Sequence, residues 1–142
     1  MCDSFNLARF VTAQEGVYQM ALTELREGHK RAHWMWFIFP QLKSLGRSST
    51  SKFYGISGFD EASAYLDNPT LAQHLREACS TILALPTTNP AEIFGKLDSL
   101  KLCSSMTLFD RVTPNDVFTD VINKFFNGMR DELTLDALQS QK

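Results

Sequence analysis

Residues 24–58 read ELREGHKRAHWMWFIFPQLKSLGRSSTSKFYGISG, and the fold turns on how that stretch is divided. It holds both tryptophans, two of the three histidines and six of the fourteen Lys/Arg residues in about a quarter of the chain, so a working pocket is expected there. Gly28 is placed to end a preceding helix, because a left-handed cap costs glycine nothing. The segment WMWFIFP that follows has no polar alternation and stops at a proline. It is either a buried helical turn or a short extended piece, and periodicity does not separate the two. Across 43–58, Gly46, Gly55, Gly58 and a run of serines read as one long polar loop, a kind of segment that more often serves function than not.

Working outward, Val17, Met20, Ala21, Leu22 and Leu25 recur at three- and four-residue steps, which predicts an amphipathic helix over about 12–27, weakened at Gly16. Before it, Phe5, Leu7 and Phe10 are anchors of a short arm. Downstream, Ala62, Tyr65 and Leu66 give a helix over about 59–66. Asn68-Pro69 then supplies a cap and a first-turn proline for a helix to about residue 85, halted before Pro86. Asn89-Pro90 repeats the signature for a shorter helix ending near Gly95, and Asp98 caps another through Phe109. Thr113-Pro114 opens one whose Val117, Phe118, Val121, Ile122, Phe125 and Phe126 make a broad apolar face up to Gly128. A last helix over about 131–139 presents Leu133, Leu135 and Leu138. With no alternating strand pair and no βαβ rhythm, the expected class is all-α: a single domain over 1–142 of six or seven short helices, packed irregularly rather than as a four-helix bundle.

The chain's 142 residues suit one domain able to bury a core without staples. A formal charge of −2 argues against general nucleic-acid binding or an acidic membrane surface, both of which rest on many Lys/Arg contacts. That average hides an asymmetry. Residues 26–52 carry six basic residues and one acid, Glu27, whereas from Asp110 onward there are six acids and four bases, so an anionic ligand favours the first region. Cys2, Cys79 and Cys103 are odd in number and form no CxxC pair, which reads as free thiols in a reducing compartment. The opening MCDSFNLARF has no secretory pattern, and the apolar run over 34–40 is far short of the roughly 20 residues that span a bilayer. A cytoplasmic protein without membrane contact is expected.

Several side chains are candidates for chemistry. His29 and His33 are spaced as a helical metal pair, but Gly28 precedes them and no third ligand stands nearby, so no metal site is assigned. His33, beside Trp34, suits a neutral donor or an acid/base, and equally a histidine satisfied by a backbone carbonyl. Trp34, Trp36, Phe37 and Phe39 are either core or, with Lys30, Arg31 and Gln41, a stacking wall for a flat ring such as a nucleobase. Neighbouring side chains cannot all face one way, so one tryptophan belongs to the core and the other to the pocket. Lys30 suits an imine-forming or phosphate-pairing amine with Glu24 as partner or base, though composition alone reads a surface lysine. The loop LGRSSTSKFYGISG offers Arg47, Lys52 and the hydroxyls of Ser48, Ser49, Thr50 and Ser51 to a phosphate, without a Walker or G-x-G-x-x-G pattern. In KLCSSMTLF, Ser104, Ser105 and Thr107 interrupt an apolar helix, either bonding back to the preceding turn or facing the pocket. No G-x-S-x-G elbow occurs. Asp110 either orients a base or is solvated.

The strings HWMWFIFPQL (33–42) and SSMTLF (104–109), with Glu24-Leu25, Gly28, Lys30, Tyr54-Gly55-Ile56, Ile93-Phe94-Gly95, Asp98 and Lys101-Leu102, resemble the bacterial domain-of-unknown-function family numbered 1810, nearly end to end. That resemblance implies a compact, mostly helical single domain and hands over no activity. The label calpastatin, carried by some members, does not suit a globular chain, since inhibitory calpastatin segments are expected to be disordered. Asn68-Pro69, Leu71-Ala72 and His74 stand where the family pattern has His-Pro, Leu-Gly and an arginine. A more distant similarity, in a glutamate, a lysine and aromatics near the first helix, is to the family proposed to handle NAD and ADP-ribose derivatives.

The resulting expectation is a nucleotide-like or ADP-ribose-like small molecule in a pocket built from 24–58 and 101–110, with no cofactor. As an enzyme it would process an N-glycosidic bond: Glu24 or His33 as acid/base, Lys30 as electrostatic or covalent helper, Trp34 or Trp36 stacking, and Gln41, Ser48, Lys52, Ser104 and Ser105 positioning. The alternative is a non-catalytic interaction module whose aromatic segment is core and whose 43–58 loop docks a protein.

Overall fold

The chain forms nine α-helices within residues 4–140, the part described by a computed structural model, and side chains cap the starts of five of them. They are α1 (Ala8–Gln14), α2 (Tyr18–Glu27), α3 (Met35–Ile38), α4 (Ser49–Phe53), α5 (Phe59–Asp67), α6 (Pro69–Leu83), α7 (Pro90–Val112), α8 (Val117–Phe126) and α9 (Glu132–Gln139). Asn68 Oδ1 accepts the amides of Thr70 and Leu71, both at 3.1 Å, and Asn89 Oδ1 accepts that of Ala91 at 3.0 Å, so both Asn-Pro starts fall where their chemistry places them. Gly28, at φ 79°, closes α2 as a left-handed cap. The cap of α8 is Asp116, which takes the Val117 amide at 2.6 Å, and not the expected Thr113. The segment WMWFIFP resolves into one helical turn, α3.

The class is all-α, with no strand among the described residues, but the helix count exceeds the expected six or seven for identifiable reasons. Gly16, at φ 74°, divides the helix expected over 12–27 into α1 and α2. The break expected near Gly95 is present: that residue, at φ 81° and ψ 166°, is non-helical and divides α7 into a short first piece and a long second one that follow end to end. Asp98 lies three residues past that break and not at the start of the second piece, where a cap was expected, and its carboxylate takes Lys30 and Lys101 instead. The segment over 43–58 is not a structureless loop: it contains a 3₁₀ turn (Lys43–Leu45) and α4. An isolated bridge between Leu42 and Ile56 staples its base: the Lys43 amide donates to the Ile56 carbonyl at 2.8 Å, and the Ile56 amide to Gln41 at 2.9 Å. Gly55 permits the staple, since a Cβ there would sit 2.3 Å from Lys43 Cα.

The C-terminal half of α7 runs through the centre of the molecule. Leu102, Ser105, Met106, Thr107, Leu108 and Phe109 are all buried on it, and α5, α8 and α9 pack around it. One contiguous core extends from Leu7 to Leu138. Within it Phe94 meets Trp34 and Phe39 edge-on, at 6.4 and 5.8 Å between ring centroids, which fixes α3 against the first turns of α7. Cys79 is buried, Cys103 half-buried, and neither is in a disulfide; Cys2 lies outside the described residues. No helix among the described residues is long and apolar enough to cross a membrane.

Candidate functional site

Because the staple holds the 43–51 segment over α7, an open cleft of about 680 Å³ forms between that segment, α7 and the start of α9. Its polar wall is Trp36, Gln41, Arg47, Ser48, Ser51, Lys101, Ser104 and Asp131, and its apolar wall is Leu45, Leu97, Leu100 and Leu133. That volume falls within the range of about 300–1,000 Å³ usual for small-molecule pockets. A second depression, about 500 Å³, lies by Phe5, Phe59, Arg111 and Leu138 and holds none of the predicted site residues. The site is placed in the first because tryptophan, hydroxyls and two cations converge only there among the two.

The two tryptophans divide their work. Trp34 is fully buried, with its indole N–H donating to Glu24 Oε1 at 2.9 Å. Trp36, two residues on and half-buried, lines the cleft. Glu24 Oε1 also accepts the amides of Arg31 and Ala32, at 2.7 and 3.1 Å, so this carboxylate shapes the turn that delivers both tryptophans. Burial alone would raise its pKa, but the three N–H donors outweigh burial and hold it below the usual glutamate value. A carboxylate so held stays ionised and is unsuited to act as a general acid.

Lys30 is half-buried with its side chain largely shielded, and its Nζ pairs with Asp98 Oδ2 at 2.8 Å, not with Glu24. Lys101 Nζ takes the other Asp98 oxygen at 2.9 Å and lies 3.9 Å over the centroid of the Trp36 ring. One carboxylate thus bridges two ammonium groups, one shielded and one at the cleft. For Asp98 too, burial acts upward on the pKa and the two lysine hydrogen bonds outweigh it, holding the carboxyl below its ordinary value.

One turn further along α7, Asp131 Oδ2 accepts Ser104 Oγ at 3.2 Å, the Thr134 amide at 3.0 Å and Thr134 Oγ1 at 2.5 Å, while Thr107 Oγ1 accepts the Asp131 amide at 2.9 Å. Ser104 also bonds back to the Leu100 carbonyl at 3.2 Å. These contacts set Asp131 firmly at the cleft edge. Ser48 caps α4 by accepting the Ser51 amide at 3.1 Å.

The profile of the protein family of unknown function DUF1810 matches residues 4–138. The chain belongs to that family. It is also similar to the conserved hypothetical protein Rv1873 from Mycobacterium tuberculosis, whose crystal structure matches with 46% identity and a TM-score of 0.94, over 96% of this chain and 99% of that one. No curated protein matches.

Of the residues singled out in the sequence, Trp36, Gln41, Arg47, Ser48, Ser51 and Ser104 line the cleft. Glu24, Lys30 and Trp34 lie behind it as its support. His33 is exposed and does not line the cleft, contrary to a place beside a pocket indole. Lys52 is exposed on a separate shallow pocket with Arg9 and Lys43. Ser105 is fully buried, away from the cleft, with no hydrogen-bond partner for its Oγ among the described residues. Asp110 accepts Thr119 and, at 2.8 Å, Arg130 Nε, a structural clamp. No group of metal-ligating side chains occurs among the described residues. Sequence reasoning gave Lys101 only as the edge of the 101–110 segment, and missed the roles of Asp98, Asp131 and the leucine wall. The one local signal was the i,i+3 spacing of Asp98 and Lys101, which places them on one helix face.

Proposed function

We propose that this DUF1810 protein binds a nucleotide-like small molecule, ADP-ribose-like ligands included, in the Trp36 cleft. The observation that carries the reading is the pairing of a half-buried indole with a lysine ammonium 3.9 Å from its centroid, in a cleft that also holds Arg47, hydroxyls and a carboxylate. An aromatic face suits a base, the cations suit a phosphate, and Asp131 and Gln41 suit hydroxyl or amino donors. Binding is favoured over processing of an N-glycosidic bond because Glu24 is committed to three N–H donors and His33 does not line the cleft. The test is thermal denaturation with nucleoside monophosphates, ADP-ribose and NAD at millimolar concentration. A rise in Tm that Trp36→Ala abolishes supports the reading; no rise with any member of the panel overturns it.

One observation favours a second reading. Leu97, Leu100 and Leu133 are 74%, 60% and 67% exposed along the same cleft, more than a small ligand needs. A protein-docking module without catalysis accounts for that exposure. It predicts no nucleotide response, so the same panel separates the two readings.

A further inference from the structure

Lys101 covers a face of the very ring that a base would stack on. With its ammonium 3.9 Å over Trp36, that face opens only when the lysine moves. For most lysines paired to a half-buried carboxylate such a move is costly, since it orphans the acid. Here it does not, because Asp98 has a second partner. Lys30 Nζ holds the other oxygen at 2.8 Å, its side chain is 8% exposed against 27% for Lys101, and its backbone amide is fixed to the Ile93 carbonyl at 2.7 Å. Lys30 also lies 5.2 Å over Trp34, inside the wall and away from the cleft. The shielded lysine is the permanent counter-ion of Asp98, and the outer one is exchangeable.

We infer that Lys101 is a mobile anion-binding residue that leaves Trp36 for a ligand's phosphate, so that the cleft selects molecules carrying a flat ring and an anionic group together. This deepens the nucleotide-binding reading and rests on it. Phosphate alone draws Lys101 away without replacing its contact to the indole. A neutral nucleoside has to displace the ammonium and offers it no new partner. A nucleotide does both: its anion receives Lys101, with Arg47 as a second cation on the cleft wall, and its base takes the uncovered ring face. Lys30 and Asp98 act through Lys101 and touch no ligand, so they are positioning residues.

The experiment compares the affinities of AMP, GMP, CMP and UMP with those of the matching nucleosides, by tryptophan fluorescence or calorimetry, for the wild type and four variants whose folding is checked by melting. The wild type is expected to prefer its best nucleotide over the nucleoside by at least about tenfold, the size of one charge-assisted hydrogen bond. Lys101→Gln lowers that ratio several-fold without weakening nucleoside binding, leaving the share that Arg47 supplies, and Lys101→Arg keeps it. Lys30→Met also lowers the ratio, because Asp98 then has Lys101 as its sole counter-ion and retains it. Lys30→Met/Asp98→Asn releases Lys101 and restores the preference, which a merely structural role for Lys30 does not predict. A Lys101→Gln protein that retains the wild-type preference overturns the inference while leaving nucleotide binding in place, as does a double variant that folds and fails to regain it. If the Lys30 variants do not fold, the Lys101→Gln and Lys101→Arg ratios decide alone. A wild type that responds to neither class overturns the binding reading and this inference with it.

Discussion

A single oxygen of Glu24 receives three N–H groups, from Arg31, Ala32 and the Trp34 indole, and this one atom sets the turn on which the site is mounted. Glu24→Gln keeps the shape but weakens charge-assisted bonds, at an expected cost of about 1.5–3 kcal/mol in urea denaturation. The carboxyl's pKa is depressed in the folded state, so the unfolded chain binds its proton first as pH falls. Its contribution is complete above the ordinary glutamate pKa and is lost as pH falls from there through the lower folded value. Stability measured at steps from pH 7 down to pH 3 is therefore expected to fall less in Glu24→Gln than in the wild type. Equal slopes would contradict the assignment. At this scale the sequence was partly legible: Glu24, Lys30 and two nearby tryptophans stood out by type. Their partners did not, because Lys30 meets Asp98 across 68 residues of chain and no local pattern reports such a pair.

Two glycines separate the effects of backbone conformation and of space at the scale of elements. At Gly55 an added Cβ would lie 2.3 Å from the Lys43 backbone, so Gly55→Ala pries open the staple that holds Arg47 and Ser48 over α7. The expected loss is about 1–3 kcal/mol or more, with faster hydrogen exchange at the amides of Lys43 and Ile56. At Gly16, φ is 74° and nothing lies within 4 Å of an added Cβ, so Gly16→Ala costs only the left-handed conformation, about 1–2 kcal/mol, and leaves those amides unchanged. Helix starts at Asn68-Pro69 and Asn89-Pro90 were readable because a cap is a contact within three residues. The cleft wall was not. Leu97 and Leu100 have the spacing of a core-facing stripe, and periodicity reports that a face is apolar, not whether anything covers it.

At the scale of the whole molecule, α7 links the core to the site: its buried stretch around Met106 anchors α5, α8 and α9, and its outer turn presents Leu97, Leu100, Lys101 and Ser104 to the cleft. The basic bias of residues 26–52 is realised there only in part. Arg47 reaches the cleft, Lys30 is spent on Asp98, and Lys43 and Lys52 serve another surface. An anion should therefore bind with modest salt dependence, because few cations are involved. The most direct measurement is thermal denaturation of the wild type and Trp36→Ala with a nucleotide series at saturating concentration. A ligand at a hundred times its Kd stabilises by about 2.7 kcal/mol, which predicts a rise of about 5–10 °C in the wild type and little in Trp36→Ala. A flat Tm across the series, or an equal rise in Trp36→Ala, would contradict a nucleotide site at this cleft.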